Sequence, residues 1–110
     1  MERIYNKLVR DNIPNIIISK KEVPVTRVLN DEEYRKELEK KLYEEYNEVI
    51  EAEGNDRVEE LADMIEVIRY LAKLENKNLE DIILIANKKS ENRGAFNDRI
   101  FLEKVIESDK

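Results

Sequence analysis

Four carboxylates carry the chemistry that can be read in this chain: Glu45 with Glu48, and Glu60 with Asp63. Each pair is spaced i,i+3, which on a helix aims both side chains into one sector. The 11 residues between Glu48 and Glu60 include Gly54-Asn55, so two helices bearing the pairs can fold back antiparallel and set them face to face. Burying such carboxylates unpaired costs several kcal/mol each, and their mutual repulsion adds to the cost. A cation is the natural compensation. An all-oxygen donor set suits Mg²⁺ or Mn²⁺, and Mg²⁺ characteristically joins a few protein carboxylates to waters and substrate phosphates. The pattern therefore points to phosphate chemistry. The competing reading is a set of ion pairs at the rim of the core, with Lys41 and Arg57 as partners. Two facing pairs, with no His to complete a Glu-x-x-His site, favour the cation.

Other chemistries are closed. With 0 Cys and 0 His there is no disulfide framework, no thiolate zinc site, no Ser-His-Asp or Cys-His machinery and no imidazole ligand. Any reaction must run on carboxylates, Lys, Arg and Tyr. Lys88, Lys89 and Arg93, taken alone, complement the negative end of a helix. Lys7 and Arg10 read as surface residues unless an anion sits nearby. The balance of 20 Lys+Arg against 26 Asp+Glu leaves −6, which opposes a grip along a nucleic-acid backbone but not a small phosphorylated ligand. Even the run Ile82–Ile85 is far short of the roughly 20 apolar residues that span a bilayer, and Met1–Asn6 lacks the apolar core of a secretory signal. A cytoplasmic protein that engages no membrane and no nucleic acid is the expectation.

The elements that must position these residues follow from composition. Charged residues make up 42% of the chain, against a usual value of about 25%, with only 2 Gly and 2 Pro, too few for the turns of a sandwich or barrel. We expect an all-α helical bundle forming a single domain over residues 1–110: an irregular N-terminal arm (1–29), a helical body (30–93) and a C-terminal tail (94–110). In the arm, Asp11 or Asn12 can cap a short helix through Pro14 and Ile16 to Ile18. The β-branched segment Val23–Val28 is limited by Pro24 to an edge or an extended arm.

Asn30 followed by Glu33 has the spacing of a capping box, opening a helix to about Glu53 that stops at Gly54. Tyr34, Leu38, Leu42, Val49 and Ala52 form its apolar stripe, with Glu45 in the middle and Glu48 on the rim. Asp56 with Glu59 repeats the box spacing and opens a second helix to about Glu75. Apolar residues cover about two-thirds of its wheel, so it should be central and mostly buried. Glu60 shares a face with Met64, Val67 and Leu71, and Asp63 lies beside Val67, Tyr70 and Leu74. A third helix runs from an Asn78 cap to Gly94, and the tail's Phe96, Ile100, Phe101, Leu102 and Val105 have the apolar mass to dock.

These residues support a resemblance. Glu45-x-x-Glu48 followed by Glu60-x-x-Asp63 resembles the paired-carboxylate signature of the all-α NTP pyrophosphohydrolases, the superfamily that includes MazG, dimeric dUTPases and phosphoribosyl-ATP pyrophosphohydrolase. The segments Tyr5–Pro14, Glu60–Val67 and Lys89-x-x-x-Arg93-Gly94-Ala95-Phe96 are similar to a small branch described as phosphoribosyl-ATP pyrophosphohydrolase-like or house-cleaning. Asn12 stands where that branch often has Lys, and the gap between the pairs is short for the superfamily. The resemblance implies a MazG-like helical bundle that hydrolyses a nucleotide substrate between its α and β phosphates, giving a monophosphate and pyrophosphate. Glu45, Glu48, Glu60 and Asp63 would hold Mg²⁺ or Mn²⁺ and provide the catalytic carboxylates. Lys89 and Arg93 would bind the phosphates, with Lys7 and Arg10 second, in a homodimer or homotetramer. The alternatives are phosphoribosyl-ATP as the substrate, or a non-catalytic helical module that dimerises or binds a partner.

Overall fold

Two 21-residue helices form the scaffold of the computed structural model, which describes residues 1–109. Helix α1 (Ile13–Ser19) lies within the N-terminal arm, α2 (Asp31–Glu51) and α3 (Gly54–Leu74) are the long pair, and α4 (Leu79–Arg93) follows. No strand occurs among the described residues, so the protein is all-α. Residues Met1–Leu79 pack as one unit, and the chain from Glu80 on forms another.

Helix α2 starts where its capping residues place it. The Asn30 side chain accepts from the Glu33 backbone N–H at 2.9 Å, and the Glu33 carboxylate accepts from the Asn30 N–H at 3.4 Å. Its other end stops at Glu51, and only Ala52 and Glu53 separate it from α3. Gly54 makes so short a turn possible: its φ of +57° is left-handed, which a Cβ disfavours. Helix α3 therefore begins two residues before the expected Asp56, Glu53 takes the cap position, and the Asp56–Glu59 box does not form. Arg57 closes the turn instead, its Nε donating to the Ala52 carbonyl at 2.9 Å. At the opposite end, Arg35 of α2 pairs with Glu75 just after α3 at 3.4 Å. The two long helices are thus antiparallel. Past Leu74, Asn76 takes a left-handed φ of +59° and ends the helix.

The arm is held by ion pairs. Arg3 reaches Glu22 at 2.7 Å, Lys7 reaches Glu44 at 3.2 Å, Arg10 reaches Asp63 at 2.8 Å and Arg27 reaches Glu33 at 2.8 Å. Asn12 occupies the cap position of α1, but its own backbone is already helical and its side chain accepts from Asn15 instead. Val23–Val28 takes no regular secondary structure and forms no strand.

Two expectations are corrected. Helix α3 buries only Val67 and Ala72 fully, while Val58, Leu61 and Ile65 stay exposed. One antiparallel partner can cover only one side of a helix whose apolar arc is this wide. The tail's apolar residues are not buried either: Phe96, Ile100, Phe101, Leu102 and Val105 are all exposed and lack regular structure. Helix α4 ends as read, at Gly94 with φ +82°.

Candidate functional site

Glu45 comes from the inner stripe of α2, and Glu60 and Asp63 from the face of α3 that meets it. One carboxylate oxygen from each lies within 4.8 Å of the other two, a spacing that a single cation can bridge. Glu45 is only 7% exposed, which makes it the one buried charged residue of the described chain. Its Oε2 and the Oε2 of Glu60 are enclosed and accept no hydrogen bond. An enclosed carboxylate oxygen without a donor is costly unless a proton or a cation meets it.

The electrostatics follow from that enclosure. Burial pushes the Glu45 carboxyl up to about 7, and the neighbouring Glu48 and Asp63 add to the rise while Lys41 opposes it. The Glu60 carboxyl is also raised, chiefly because Glu48 lies within hydrogen-bonding reach, with burial and the charges of Glu48 and Asp63 adding to it. Two carboxylates can share a hydrogen bond only if one keeps a proton, so the cluster resists full ionisation without a cation.

Of the four predicted carboxylates, three form the cluster and Glu48 flanks it. Glu48 is more exposed, borders both Glu45 and Glu60, and lines a cavity of about 330 Å³ near the α2–α3 turn with Glu51, Asp56 and Glu59. The rim partners read from the sequence are engaged elsewhere. Lys41 pairs with Glu44 at 3.5 Å, and Arg57 donates to backbone carbonyls. Among the described residues, Arg10 is the cation that reaches the cluster, with Nη2 2.8 Å from Asp63 Oδ1. Lys7 turns to Glu44 instead; burial pushes that carboxyl up, but Lys7 and Lys41 together hold it below its ordinary value. Lys89 and Arg93 share one exposed face of α4, in the unit from Glu80 on.

A second cavity, of about 260 Å³, adjoins the cluster between residues 8–11 of the arm and the two long helices. Sequence reasoning missed the arm's part in its wall. The partial signal was in the helices: Tyr34 shares the stripe of Glu45, and Tyr70 lies beside Asp63 on the wheel.

Comparison of the chain with protein-family models, curated proteins and solved structures gave no match.

Proposed function

We propose that this chain is a Mg²⁺-dependent nucleotide pyrophosphohydrolase of the MazG-like type, acting in the cytoplasm to clear noncanonical nucleotides. The observation that carries the reading is the enclosed, donor-free oxygen of Glu45 beside Glu60 and Asp63. An oxygen-only donor set with enclosed, uncompensated atoms fits a hard divalent cation. Glu45, Glu60 and Asp63 would hold that ion. When bound, Mg²⁺ supplies neutralisation of phosphate charge and a lowered pKa for a coordinated water.

The chain's own residues provide the remainder. Glu48, beside the cluster but outside its three-oxygen set, is suited to orient a water and take its proton. The water oxygen bonds to phosphorus in line with the oxygen bridging the α and β phosphates, and that bridging oxygen leaves with pyrophosphate. Arg10 brings positive charge to the cluster's edge, where phosphate oxygens would compete with Asp63 for it. Lys89 and Arg93 enter as phosphate ligands through the resemblance alone, and Lys7 ranks behind Arg10.

The test is incubation with canonical and modified triphosphates and with phosphoribosyl-ATP, in Mg²⁺, Mn²⁺ or EDTA, measuring pyrophosphate and orthophosphate separately. Metal-dependent pyrophosphate release supports the reading, and a preference for phosphoribosyl-ATP would name that substrate. Orthophosphate alone, or no release from any of them, overturns it.

A second reading is favoured by the exposed Val58, Leu61 and Ile65, which lie at i, i+3 and i+7 along α3: a helical module that self-associates without catalysis. A homodimer or homotetramer is expected under both readings, so metal dependence separates them. If millimolar Mg²⁺ and Mn²⁺ leave Tm and nucleotide binding unchanged, the module stands and the enzyme falls.

A further inference from the structure

Asp63 serves two partners at once. One of its carboxylate oxygens belongs to the cluster with Glu45 and Glu60, and its Oδ1 accepts from Arg10 Nη2 at 2.8 Å. A hard divalent ion sits roughly 2.0–2.6 Å from each ligand oxygen, so an ion held by this cluster stands close to the Arg10 guanidinium. The guanidinium carries a fixed positive charge and has no lone pair to offer a metal, so the two cations repel and compete for one carboxylate. Their holds are unequal. The Arg10 side chain has no other ion pair or hydrogen bond among the described residues, and its pair with Asp63 is half-exposed and therefore weak. The cluster adds Glu60 and the buried Glu45, each with an enclosed oxygen that accepts from no donor.

What Arg10 holds down is the arm. Among the described residues, residues 1–9 enter no backbone–backbone hydrogen bond, so this stretch depends on its side chains. Arg3 pairs only within the arm, with Glu22 and Tyr5. Lys7 ties the stretch to Glu44 of α2 at 3.2 Å and Arg10 ties it to Asp63 of α3. Between these two anchors Leu8 and Val9 wall the cavity of about 260 Å³ beside the cluster. One of the two anchors is thus a member of the carboxylate cluster itself.

The geometry points to a lid released by metal. Asp63 gives up Arg10 when it takes a divalent cation, the stretch from Tyr5 to Asn12 loses one of its two anchors and lifts from α2 and α3, and the cavity opens beside the cluster. Arg10 is then free to meet the phosphates of an incoming nucleotide and draw the arm back down over them. Metal first and nucleotide second is the order of binding this sets. By linkage, the closed arm weakens metal binding by the same factor as metal loosens the arm. The inference rests on the pyrophosphohydrolase reading for its divalent cation and for the phosphates that reclose the lid.

Trypsin reads the arm directly, because it cuts after Lys7 and Arg10 only when those side chains are free to enter its own pocket. The wild-type full chain is digested briefly in EDTA, in Mg²⁺, and in Mg²⁺ with pyrophosphate, and the fragments are identified by mass spectrometry. Mg²⁺ should raise cleavage after Lys7 and Arg10 about threefold or more, while cleavage after Arg57 and Arg69 within α3 holds or slows. Pyrophosphate should reverse the rise. Mn²⁺ titration followed by electron paramagnetic resonance gives the other half of the linkage. Arg10→Gln should bind Mn²⁺ about two- to fivefold more tightly, the factor that breaking an exposed ion pair costs. Lys41→Gln removes a positive charge that acts on Glu45 from outside the arm, and should tighten binding less. Arm cleavage unchanged or slowed by Mg²⁺, or equal tightening in the two variants, overturns the lid. A rise that pyrophosphate does not reverse overturns the reclosure. Arm release by Mg²⁺ with no pyrophosphate formed from any triphosphate overturns the enzyme reading and leaves the lid. Pyrophosphate formation with arm cleavage unmoved by Mg²⁺ does the reverse.

Discussion

Arg10 and Asp63, 53 residues apart in the chain, meet at 2.8 Å where the N-terminal arm crosses α3. Among the described residues, the contact gives the cluster its one direct cation. Because the two side chains are 57% and 41% exposed, solvent screens the pair and it adds about 1 kcal/mol or less to stability. Its importance lies in where it puts positive charge.

Arg10→Gln should therefore separate activity from stability. We expect kcat/KM for pyrophosphate release to fall about tenfold or more, while Tm moves by only a few degrees. Steady-state kinetics and calorimetry on the same preparation check both. Unchanged kinetics would remove Arg10 from the phosphate site.

Asp63→Asn should abolish turnover and leave the helical circular dichroism intact, because the side chain is partly exposed and nearly isosteric with its replacement. Mn²⁺ titration followed by electron paramagnetic resonance should show weakened binding. Metal-dependent activity retained in this variant would sink the metal assignment.

The pH dependence of the metal-free protein follows from Glu45. Its folded pKa, near 7, lies above the ordinary carboxyl value of 4.5, so between these limits the folded chain holds a proton that the unfolded chain has released. The stabilisation is complete below about 4.5 and disappears as pH rises through about 7. In EDTA, Tm should fall across this window, and less so in Glu45→Gln. Millimolar Mg²⁺ should offset the fall above pH 7, where the cation takes the proton's place. A wild-type Tm that is flat from pH 4.5 to 7.5 in EDTA would contradict the electrostatics described here.

Two backbone positions make stability predictions independent of function. Asn30→Ala removes the cap of α2 and should cost about 1 kcal/mol, roughly 4–8 °C in Tm for a domain near this size. Gly54→Ala meets no atom within 4 Å of the added Cβ, so its cost is the left-handed backbone alone, about 1 kcal/mol. Thermal melts of both variants are the check.

Helix content, the Asn30 cap, the Gly94 end and the convergence of Glu45, Glu60 and Asp63 were legible because each depends on spacing within about one turn or on a single short connection. The α3 start was misread since Asp56–Glu59 satisfies a local rule that a tighter turn, allowed by Gly54 and closed by Arg57, overrides. Burial of α3 and of the tail's apolar residues was overestimated because an apolar face in sequence does not say whether one chain can cover it.

By itself, then, the sequence determined which residue types are present for chemistry and which helical face each occupies, since side-chain direction on a helix follows from a fixed rotation per residue. Only the tertiary structure decided that Arg10 reaches Asp63, that Lys41 goes to Glu44, that Glu48 flanks the carboxylate cluster, and that the arm closes a cavity against Tyr34 and Tyr70. Those choices depend on where an irregular segment crosses a helix pair, and no periodicity encodes a crossing between segments tens of residues apart.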